Sequence, residues 1–499
     1  MAEPVKRPTD EPLSRWDGWG RWNAPKYLKR GSGPDDLRLV AGSAVLGLVV
    51  AVGAVLAAGP WDSGQRKAER VRATVQQRAG GAHHEGTVPG GPAPAPSAPS
   101  VLSALGATVG LTAPAGASAL ETAIEPLLDA PALGSVRTAV VVDAATGKQL
   151  YARGATTPMT PASTVKIATT AAALSALGPG HRIATKVTLS PDSRTLTLVG
   201  GGDPTLDEKA LRSLATGAAR SLRDGDGGTG AVRLTYDTSR YSGPALHPIG
   251  PNENIAPVSA LMVDEGRLDK SDRGPAARTD DPAGDAARLF AGLLGEAGVD
   301  TRPAPSSGRA PDGARTVAKH LSEPLSALVE RALTNSDNDI AEALARQTAL
   351  KAGEPASFAG SRRAVTARLK ALGLPLTGAQ LADGSGLDRA DKVTAGLLAE
   401  LLALAADPDH PELRPVLTGL PVAGFSGTLG DRYAATSPAT GLIRAKTGTL
   451  TGVNSLAGTA VDAQGRLLAF AFLASGSTSP GEAEASLDAL ATVLAEGTR

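Results

Sequence analysis

The sequence predicts an α/β (α+β) protein in which an antiparallel sheet is flanked by helices. Three observations support this fold class. Short apolar runs predict a hairpin near residue 140 and three strands after residue 440. Apolar residues at helical spacing dominate the stretch between residues 324 and 406. A strand-rich, loop-broken stretch separates the first long helix of the folded part from that helical region.

The N-terminal part of the 499-residue chain predicts a membrane anchor. A polar stretch, residues 1–38, is followed by an uncharged apolar stretch, residues 39–59. About 20 apolar residues suit one membrane span, and a secretory signal usually has a shorter lead and a shorter apolar centre. We expect an uncleaved transmembrane helix, with a cleaved signal as the lesser alternative. Residues 20–38 and 60–78 each carry five Lys or Arg, so charge does not orient the helix.

Composition limits the partners of the chain. Residues 60–118, rich in Pro, Gly and Ala, predict an unfolded linker between the membrane and a globular part that begins near residue 119. The chain has 50 basic and 50 acidic residues, and we expect no nucleic-acid partner. It has no cysteine, which excludes disulfides and thiolate metal sites. It also has no His-Glu-x-x-His pattern, the signature of one class of zinc enzymes. We therefore expect neither a metal nor a cofactor.

Up to residue 240, short alternating runs predict strands and longer runs at helical spacing predict helices. A polar turn at 143–148 parts the two hairpin strands, and the helix that starts near Ser163 stops at the helix-breaking sequence Gly178-Pro179-Gly180. Charge and glycine predict loops over 219–230 and 266–284. The predicted elements are a helix over 120–128, strands over 137–142 and 149–152, the Ser163 helix, and strands over 184–189, 195–199 and 231–236.

After residue 280, helical spacing prevails until about residue 406, and three strands follow later. Pro480 stands in the first turn of the last predicted helix, where a missing N–H costs nothing. The predicted elements are helices over 282–297, 324–350, 358–372 and 392–406, strands over 442–446, 454–461 and 467–474, and a helix over 480–496.

Three short motifs fall at a predicted helix start, a loop and a strand end. They are Ser-x-x-Lys at Ser163 and Lys166, Ser-Asp-Asn from Ser336 to Asn338, and Lys-Thr-Gly from Lys446. Residues i and i+3 share one face of a helix, so the Lys166 amine can reach the Ser163 hydroxyl and activate it as a nucleophile. The ordered trio is the active-site signature of penicillin-binding proteins and class A β-lactamases.

Beyond this trio, residues 135–499 resemble the DacB-type D-alanyl-D-alanine carboxypeptidase/endopeptidase family (class C low-molecular-mass penicillin-binding proteins, peptidase family S13). Further similar stretches are 141–143, 200–206, 236–244, 256–261 and 383–387, the last reading Asp-Gly-Ser-Gly-Leu. The resemblance implies a β-lactamase/transpeptidase-like catalytic domain made of residues 119–186 and 319–499, interrupted by an inserted domain at 187–318. The 173 residues between Ser163 and Ser336 leave room for such an insert.

The resemblance implies a serine-type carboxypeptidase that trims peptidoglycan stem peptides and that β-lactam antibiotics inhibit covalently. Ser163 would attack the carbonyl of the penultimate D-alanine to form an acyl-enzyme. Lys166 would be the acylation base, kept neutral by like-charge repulsion from Lys446. Ser336 would relay the proton to the leaving D-alanine amine, and Asn338 would hold Lys166 or the substrate amide.

The third motif would bind the substrate. The family implies that Lys446, Thr447 and Thr449 receive the terminal carboxylate. The backbone N–H groups of Ser163 and Thr449 would form the oxyanion hole, where each donor contributes about 3–4 kcal/mol. Gly448 would allow the strand backbone to approach the substrate closely.

Three other functions were weighed from the sequence. A serine β-lactamase of class A deacylates with a glutamate between the second and third motifs, and no glutamate occurs between Glu354 and Glu400. A Ser-His-Asp hydrolase is disfavoured because no Gly-x-Ser-x-Gly elbow is present. A catalytically weak cell-wall scaffold would be expected to lack the nucleophile or the base, and both are present. Because stem peptides lie outside the cytoplasmic membrane, the carboxypeptidase interpretation places residues 1–38 in the cytoplasm and the globular part outside.

Overall fold

The structure is a computed structural model that describes residues 117–224, 231–433 and 435–497. The predicted tail and anchor, and the predicted linker up to residue 116, lie outside these described residues. No helix in the described part of the chain is long and apolar enough to cross a membrane.

Strands and helices follow one another in the following order within the described residues. The strands are β1 (Val136–Asp143), β2 (Gln149–Arg153), β3 (Ala184–Leu189), β4 (Thr195–Val199), β5 (Arg233–Asp237), β6 (Ser306–Ser307), β7 (Arg315–Leu321), β8 (Ile443–Leu450), β9 (Val453–Val461) and β10 (Leu467–Ser475). The α-helices are α1 (Ala117–Leu128), α2 (Lys166–Leu177), α3 (Glu208–Arg223), α4 (Pro282–Glu296), α5 (Leu325–Thr334), α6 (Asn338–Ala352), α7 (Phe358–Ala371), α8 (Ala395–Ala406), α9 (Arg414–Thr418) and α10 (Pro480–Glu496).

The first sheet is antiparallel, with the strand order β2-β1-β10-β9-β8. Its central strand β10 is buried on both faces because helices cover both. Phe470 and Phe472 pack on one side with residues of α1 and α10, such as Ile124 and Leu490. Alternate residues of β10 face the other core, which includes α2, α5, α6 and α8. The predicted antiparallel sheet flanked by helices is therefore confirmed, and β8 lies at its edge.

A second five-stranded sheet is built from residues between α2 and α5, in the order β6-β5-β4-β3-β7. It is mixed, since β3 pairs antiparallel with β4 and β7, whereas β4–β5 and β5–β6 are parallel. Helices α3 and α4 pack against it through buried apolar residues such as Leu211, Leu234 and Phe290. The long loop between β5 and α4 continues toward the three motifs.

Several predicted elements differ from those observed. Helix α3 was not predicted, and it overlaps the loop predicted at 219–230; its many charged residues hid an apolar face that packs on the second sheet. Strand β7 was missed because it is a polar, partly exposed edge strand. The helix predicted over 324–350 is interrupted between α5 and α6 by a turn at the Ser-Asp-Asn motif, where a loop was predicted, and Ser336 in this turn has a φ of +58°. The bounds of β3, β4 and α10 are as predicted.

Candidate active site

Ser163 lies in a strained turn at the start of α2. The turn is a 3₁₀ helix, Ala162–Val165, and α2 follows it directly. The buried Ala162 has a φ of +49°, in the left-handed region that residues other than glycine rarely adopt. The hydroxyl of Ser455 on β9 donates to the Pro161 carbonyl oxygen at 2.7 Å. A strand of the first sheet therefore fixes the turn that carries Ser163.

The Lys166 amine contacts three oxygens. Its Nζ lies 3.0 Å from Ser163 Oγ, 2.7 Å from Asn338 Oδ1 and 2.6 Å from the Ser385 carbonyl oxygen. A neutral amine has two N–H groups and one lone pair. Asn338 Oδ1 and the Ser385 carbonyl oxygen can only accept hydrogen bonds, so they accept from the two N–H groups of the amine. The lone pair of the amine is left to accept the proton of the Ser163 hydroxyl. The arrangement can deprotonate Ser163.

Burial has the largest effect on the pKa of Lys166, whose side chain is fully buried. It lowers the pKa of Lys166 to about 8, against neighbouring carboxylates that raise this pKa. Those carboxylates belong to Asp383, Asp337, Glu342 and Asp391. Repulsion from Lys446, which the sequence led us to expect as the cause, is not among the main influences on this pKa; desolvation is.

Lys446 lies behind the same site and is also fully buried. Burial, followed by the positive charges of Lys166 and Arg432, lowers the pKa of Lys446 well below its usual value. Its Nζ donates to the Thr447 carbonyl oxygen at 2.8 Å. The positive charge of Lys166 thus disfavours protonation of Lys446, and a bound anion would offset the positive charge at the site.

The second motif joins α5 to α6. Asp337 caps the N-terminus of α6, and Asn338 is the first residue of that helix. The Nδ2 of Asn338 donates to the Asn254 carbonyl oxygen at 2.9 Å, which turns Oδ1 toward Lys166. Of the two partners predicted for Asn338, the structure brings Lys166 into contact with it. Ser336 makes no hydrogen bond to the described residues, so its relay role stays a prediction.

The third motif lies inside a strand rather than at its end. The predicted strand stopped at Lys446, whereas β8 continues to Leu450. A Cβ atom built on Gly448 would lie 2.2 Å from Ser455 Oγ and 2.6 Å from the Pro161 carbonyl oxygen. Glycine is needed here because β8 packs directly on the turn that carries Ser163. The close approach that the structure shows is to this turn, and the approach of the strand to a substrate stays a prediction.

The two threonines of the third motif have different partners. The Thr447 hydroxyl donates to the Thr428 hydroxyl at 2.8 Å, in the segment that precedes β8. The Thr449 hydroxyl donates to Glu484 Oε1 of α10 at 2.9 Å. The hydroxyl protons of Thr447 and Thr449 therefore both have acceptors within the protein.

The free edge of β8 presents backbone donors. The Ala445 N–H bonds the Pro421 carbonyl oxygen, which lies beyond this edge of the sheet. Alternate residues of an antiparallel strand direct their N–H groups to the same side. The N–H groups of Thr447 and Thr449 therefore point to the free edge, as the oxyanion-hole prediction for Thr449 requires.

Sequence reasoning missed several residues of the site. Glu342 accepts from the N–H groups of Gly384 and Ser385 at 2.7 and 3.0 Å, and its second oxygen accepts from Arg346 at 2.8 Å. The stretch 383–387 resembles the family, but its sequence predicts no role for it. The sequence carried no signal for the Ser385 contact, because a backbone carbonyl leaves no trace in side-chain identity.

In the part of the chain that the structure describes, two buried groups of side chains have the residue types of metal ligands. They are His247, Glu342 and Asp383, and Glu265, Asp337 and Asp339. Arginines already pair with both groups: Arg346 with Glu342, Arg331 with Glu265, and Arg278 with Asp339. We assign no metal to either group, and the expectation of a metal-free enzyme stays a prediction.

Comparison with known proteins gives consistent results. The model of the D-Ala-D-Ala carboxypeptidase 3 (S13) family matches residues 120–272 and 268–496. Carboxypeptidase DacB of Mycolicibacterium smegmatis is 38% identical over 423 residues, which are 82% of this chain and 89% of the relative. The D-alanyl-D-alanine carboxypeptidase of Actinomadura sp. is 31% identical over 479 residues, covering 79% of this chain and 88% of the relative. The crystal structure of penicillin binding protein 4 (dacB) from Haemophilus influenzae superposes with a TM-score of 0.60 at 23% identity, over 73% of this chain and 94% of that one, and supports the fold.

Proposed function

Because the chain belongs to the D-Ala-D-Ala carboxypeptidase 3 (S13) family, we propose that it is a serine-type D-Ala-D-Ala carboxypeptidase that trims peptidoglycan stem peptides. The observation that carries the mechanism is the contact of the Lys166 amine with Ser163 Oγ, Asn338 Oδ1 and the Ser385 carbonyl oxygen. This contact leaves the amine lone pair directed at the nucleophile.

Acylation begins when Lys166 Nζ takes the Ser163 hydroxyl proton and Oγ bonds to the carbonyl carbon of the penultimate D-alanine. The resulting oxyanion accepts hydrogen bonds from the backbone N–H groups of Ser163 and Thr449. The C–N bond then breaks, and the leaving D-alanine amine receives a proton from Lys166 through Ser336. Water hydrolyses the ester and restores the Ser163 hydroxyl.

The substrate carboxylate binds at the third motif. Lys446 carries a positive charge once the carboxylate binds, because the anion offsets the burial and the repulsion that lower the pKa of Lys446. The Thr447 hydroxyl turns from Thr428 and donates to the carboxylate. Thr449 contributes its backbone N–H, and its hydroxyl donates to Glu484 in the free enzyme. The role that the resemblance implies for Thr449 at the carboxylate stays a prediction.

β-Lactams should form long-lived adducts with this enzyme. A class A β-lactamase needs a glutamate that activates water, and the glutamate beside Lys166 is Glu342. This side chain is fully buried and is held by two backbone N–H groups and Arg346. It has no free oxygen with which to activate a water molecule, so we expect slow deacylation rather than β-lactamase turnover.

Labelling with a fluorescent penicillin tests the nucleophile. The wild type should carry a covalent label, and Ser163→Ala should carry none, because within the described residues Ser163 has the one hydroxyl that is hydrogen-bonded to Lys166. Ser486→Ala on α10 is the matched control and should label normally. A labelled Ser163→Ala protein, or an unlabelled wild type, would contradict the proposal.

Release of D-alanine from pentapeptide stems tests the substrate. The wild type should release the terminal residue, and cleavage of crosslinked muropeptides in the same assay would reveal an additional endopeptidase activity. A protein that binds penicillin but cuts neither substrate would instead fit the scaffold alternative.

Acylation should depend on pH through Lys166. The neutral amine is the active base, and its pKa is about 8. The acylation rate should therefore rise with pH, reach half of its plateau near that value and fall at lower pH as the amine becomes protonated. Stopped-flow labelling between about pH 6 and about pH 10 measures the midpoint. A rate that is constant over this interval would contradict the role of Lys166 as base.

We also propose the topology and domain arrangement. Residues 39–59 anchor the protein in the cytoplasmic membrane, with residues 1–38 in the cytoplasm and the catalytic domain (119–186 and 319–499) outside. Residues 187–318 form an inserted domain, which would be built around most of the second sheet. Protease treatment of spheroplasts should digest the globular part and spare the tail. Selective loss of the tail would contradict this orientation.

A further inference from the structure

The carbonyl that contacts Lys166 belongs to a tight turn organised by one carboxylate. Asp383 accepts from the N–H groups of Ser385, Gly386 and Asp388 at 2.9, 2.5 and 2.8 Å. Three donors converging on one side chain leave the turn little freedom. Asp383 thereby sets the direction of the Ser385 carbonyl, which accepts from Lys166 Nζ at 2.6 Å.

Asp383 is itself held by a histidine from a distant part of the chain. His247, in the long loop between β5 and α4, places Nε2 2.9 Å from Asp383 Oδ2, and both side chains are 1% exposed. The Ile249 N–H donates to His247 Nδ1 at 3.3 Å. Nδ1 is thus an acceptor, and Nε2 carries the proton that it donates to Asp383. The imidazole ring of His247 and the Phe358 ring pack edge to face, with their centroids 5.2 Å apart.

The charges around the turn agree with this geometry. Burial opposes ionisation of Asp383, but hydrogen bonds from His247, Asp391 and Gly386 hold its pKa at about 2. Burial and the charge of Asp383 raise the pKa of Asp391, which keeps its proton. An ionised Asp383 therefore stands near Lys166. The other ionisable groups that shift the pKa of Lys166 are Asp337, Glu342 and Asp391. The pKa of Lys446 is shifted by Lys166 and Arg432.

We propose that His247 and Asp383 are positioning residues for acylation, which fix the turn 383–388 so that the Ser385 carbonyl holds the Lys166 amine against Ser163. The inference rests on the proposed function, because it assumes that Lys166 is the base. It adds to the three motifs a fourth segment, which fixes the base through a backbone carbonyl. It also makes a loop of the strand-rich region between α2 and α5 part of the apparatus that orients the base.

Two substitutions of His247 distinguish loss of the hydrogen bond to Asp383 from a change in side-chain volume. His247→Leu removes the donor to Asp383, whereas the amide of His247→Gln can still donate. In the purified full-length chain, His247→Leu should slow acylation by fluorescent penicillin about tenfold. His247→Gln should stay within about threefold of the wild type. His410→Leu is the matched control, since it removes a second, partly exposed histidine–carboxylate pair (His410 Nδ1 to Glu412 Oε1, 3.1 Å), and it should label normally.

A pH profile gives a readout that a structural role alone would not change. Asp383→Asn removes a negative charge that raises the pKa of Lys166. The midpoint of the acylation profile should therefore move to lower pH in Asp383→Asn and stay unchanged in His410→Leu. Thermal unfolding of each variant shows that the protein is folded. If Asp383→Asn does not fold, the comparison of His247→Leu with His247→Gln decides.

Two results would overturn the proposal. One is wild-type acylation in His247→Leu, and the other is an equal loss of rate in His247→Leu and His247→Gln. Labelling by penicillin does not require that a D-Ala-D-Ala peptide is the substrate. A wild type that labels but releases no D-alanine would refute the carboxypeptidase function alone, whereas normal peptide cleavage with unaffected His247 variants would refute the positioning role alone.

Discussion

Lys166→Met should acylate with penicillin at least about 10³-fold more slowly than the wild type, because the side chain keeps its length and loses the base. The Asn338 amide oxygen and the Ser385 carbonyl would each lose a donor, and the Ser163 proton would have no acceptor. Single-turnover labelling measures the rate. Raising the pH should not restore it, since no titrating amine remains beside Ser163.

Lys351→Met provides the control for this substitution. Lys351 lies in the last turn of α6, at an exposed position, and its loss removes the same functional group from the same chain. It should label at the wild-type rate. If Lys166→Met retained more than about a tenth of the wild-type rate, another group would have to be the base, and the Ser163–Lys166 mechanism would be wrong.

Gly448→Ala should reduce both activity and stability. The added methyl group would meet Ser455 Oγ at 2.2 Å and the Pro161 carbonyl oxygen at 2.6 Å, so β8 and the turn before Ser163 must move apart. Because the catalytic groups come from both segments, we expect at least about a 100-fold slower acylation. The free energy of unfolding should fall by about 1–3 kcal/mol. Chemical denaturation and penicillin labelling measure the two effects.

Gly292→Ala is the matched control for Gly448→Ala. Gly292 lies within α4, where an added Cβ has no neighbour within 4 Å. Alanine favours helix over glycine, so this variant should be more stable by about 0.5–1 kcal/mol and label normally. A Gly448→Ala protein with wild-type stability and rate would mean that β8 does not pack on the turn as described.

The three motifs could be predicted because the reactive side chains of each motif lie close together in the sequence. Ser163 and Lys166 are one helical turn apart, and Asn338 and Lys446 belong to short signatures of their own. The sheet that brings them together was also predictable, since its strands are apolar and alternate with turns. The family resemblance then connected segments that are distant in sequence.

The remaining parts of the site depend on contacts that sequence patterns do not encode. Ser385 acts through its carbonyl oxygen, which every residue has, and His247 meets Asp383 across 136 residues. Glu342 lies on α6 among buried apolar residues, where its charge is compensated by Arg346 and backbone N–H groups. Desolvation, rather than the repulsion expected from Lys446, lowers the pKa of Lys166, and sequence patterns do not show how completely a side chain is removed from water.

The contact between Ser455 and Pro161 joins positions 294 residues apart and has a consequence for the order in which the molecule matures. During synthesis, the segment with Ser163 emerges long before β8 and β9, so the Ser455 hydroxyl cannot yet hold the turn that contains Ala162. We therefore expect a nascent chain that lacks these strands not to be labelled by penicillin, even though Ser163 and Lys166 are already present.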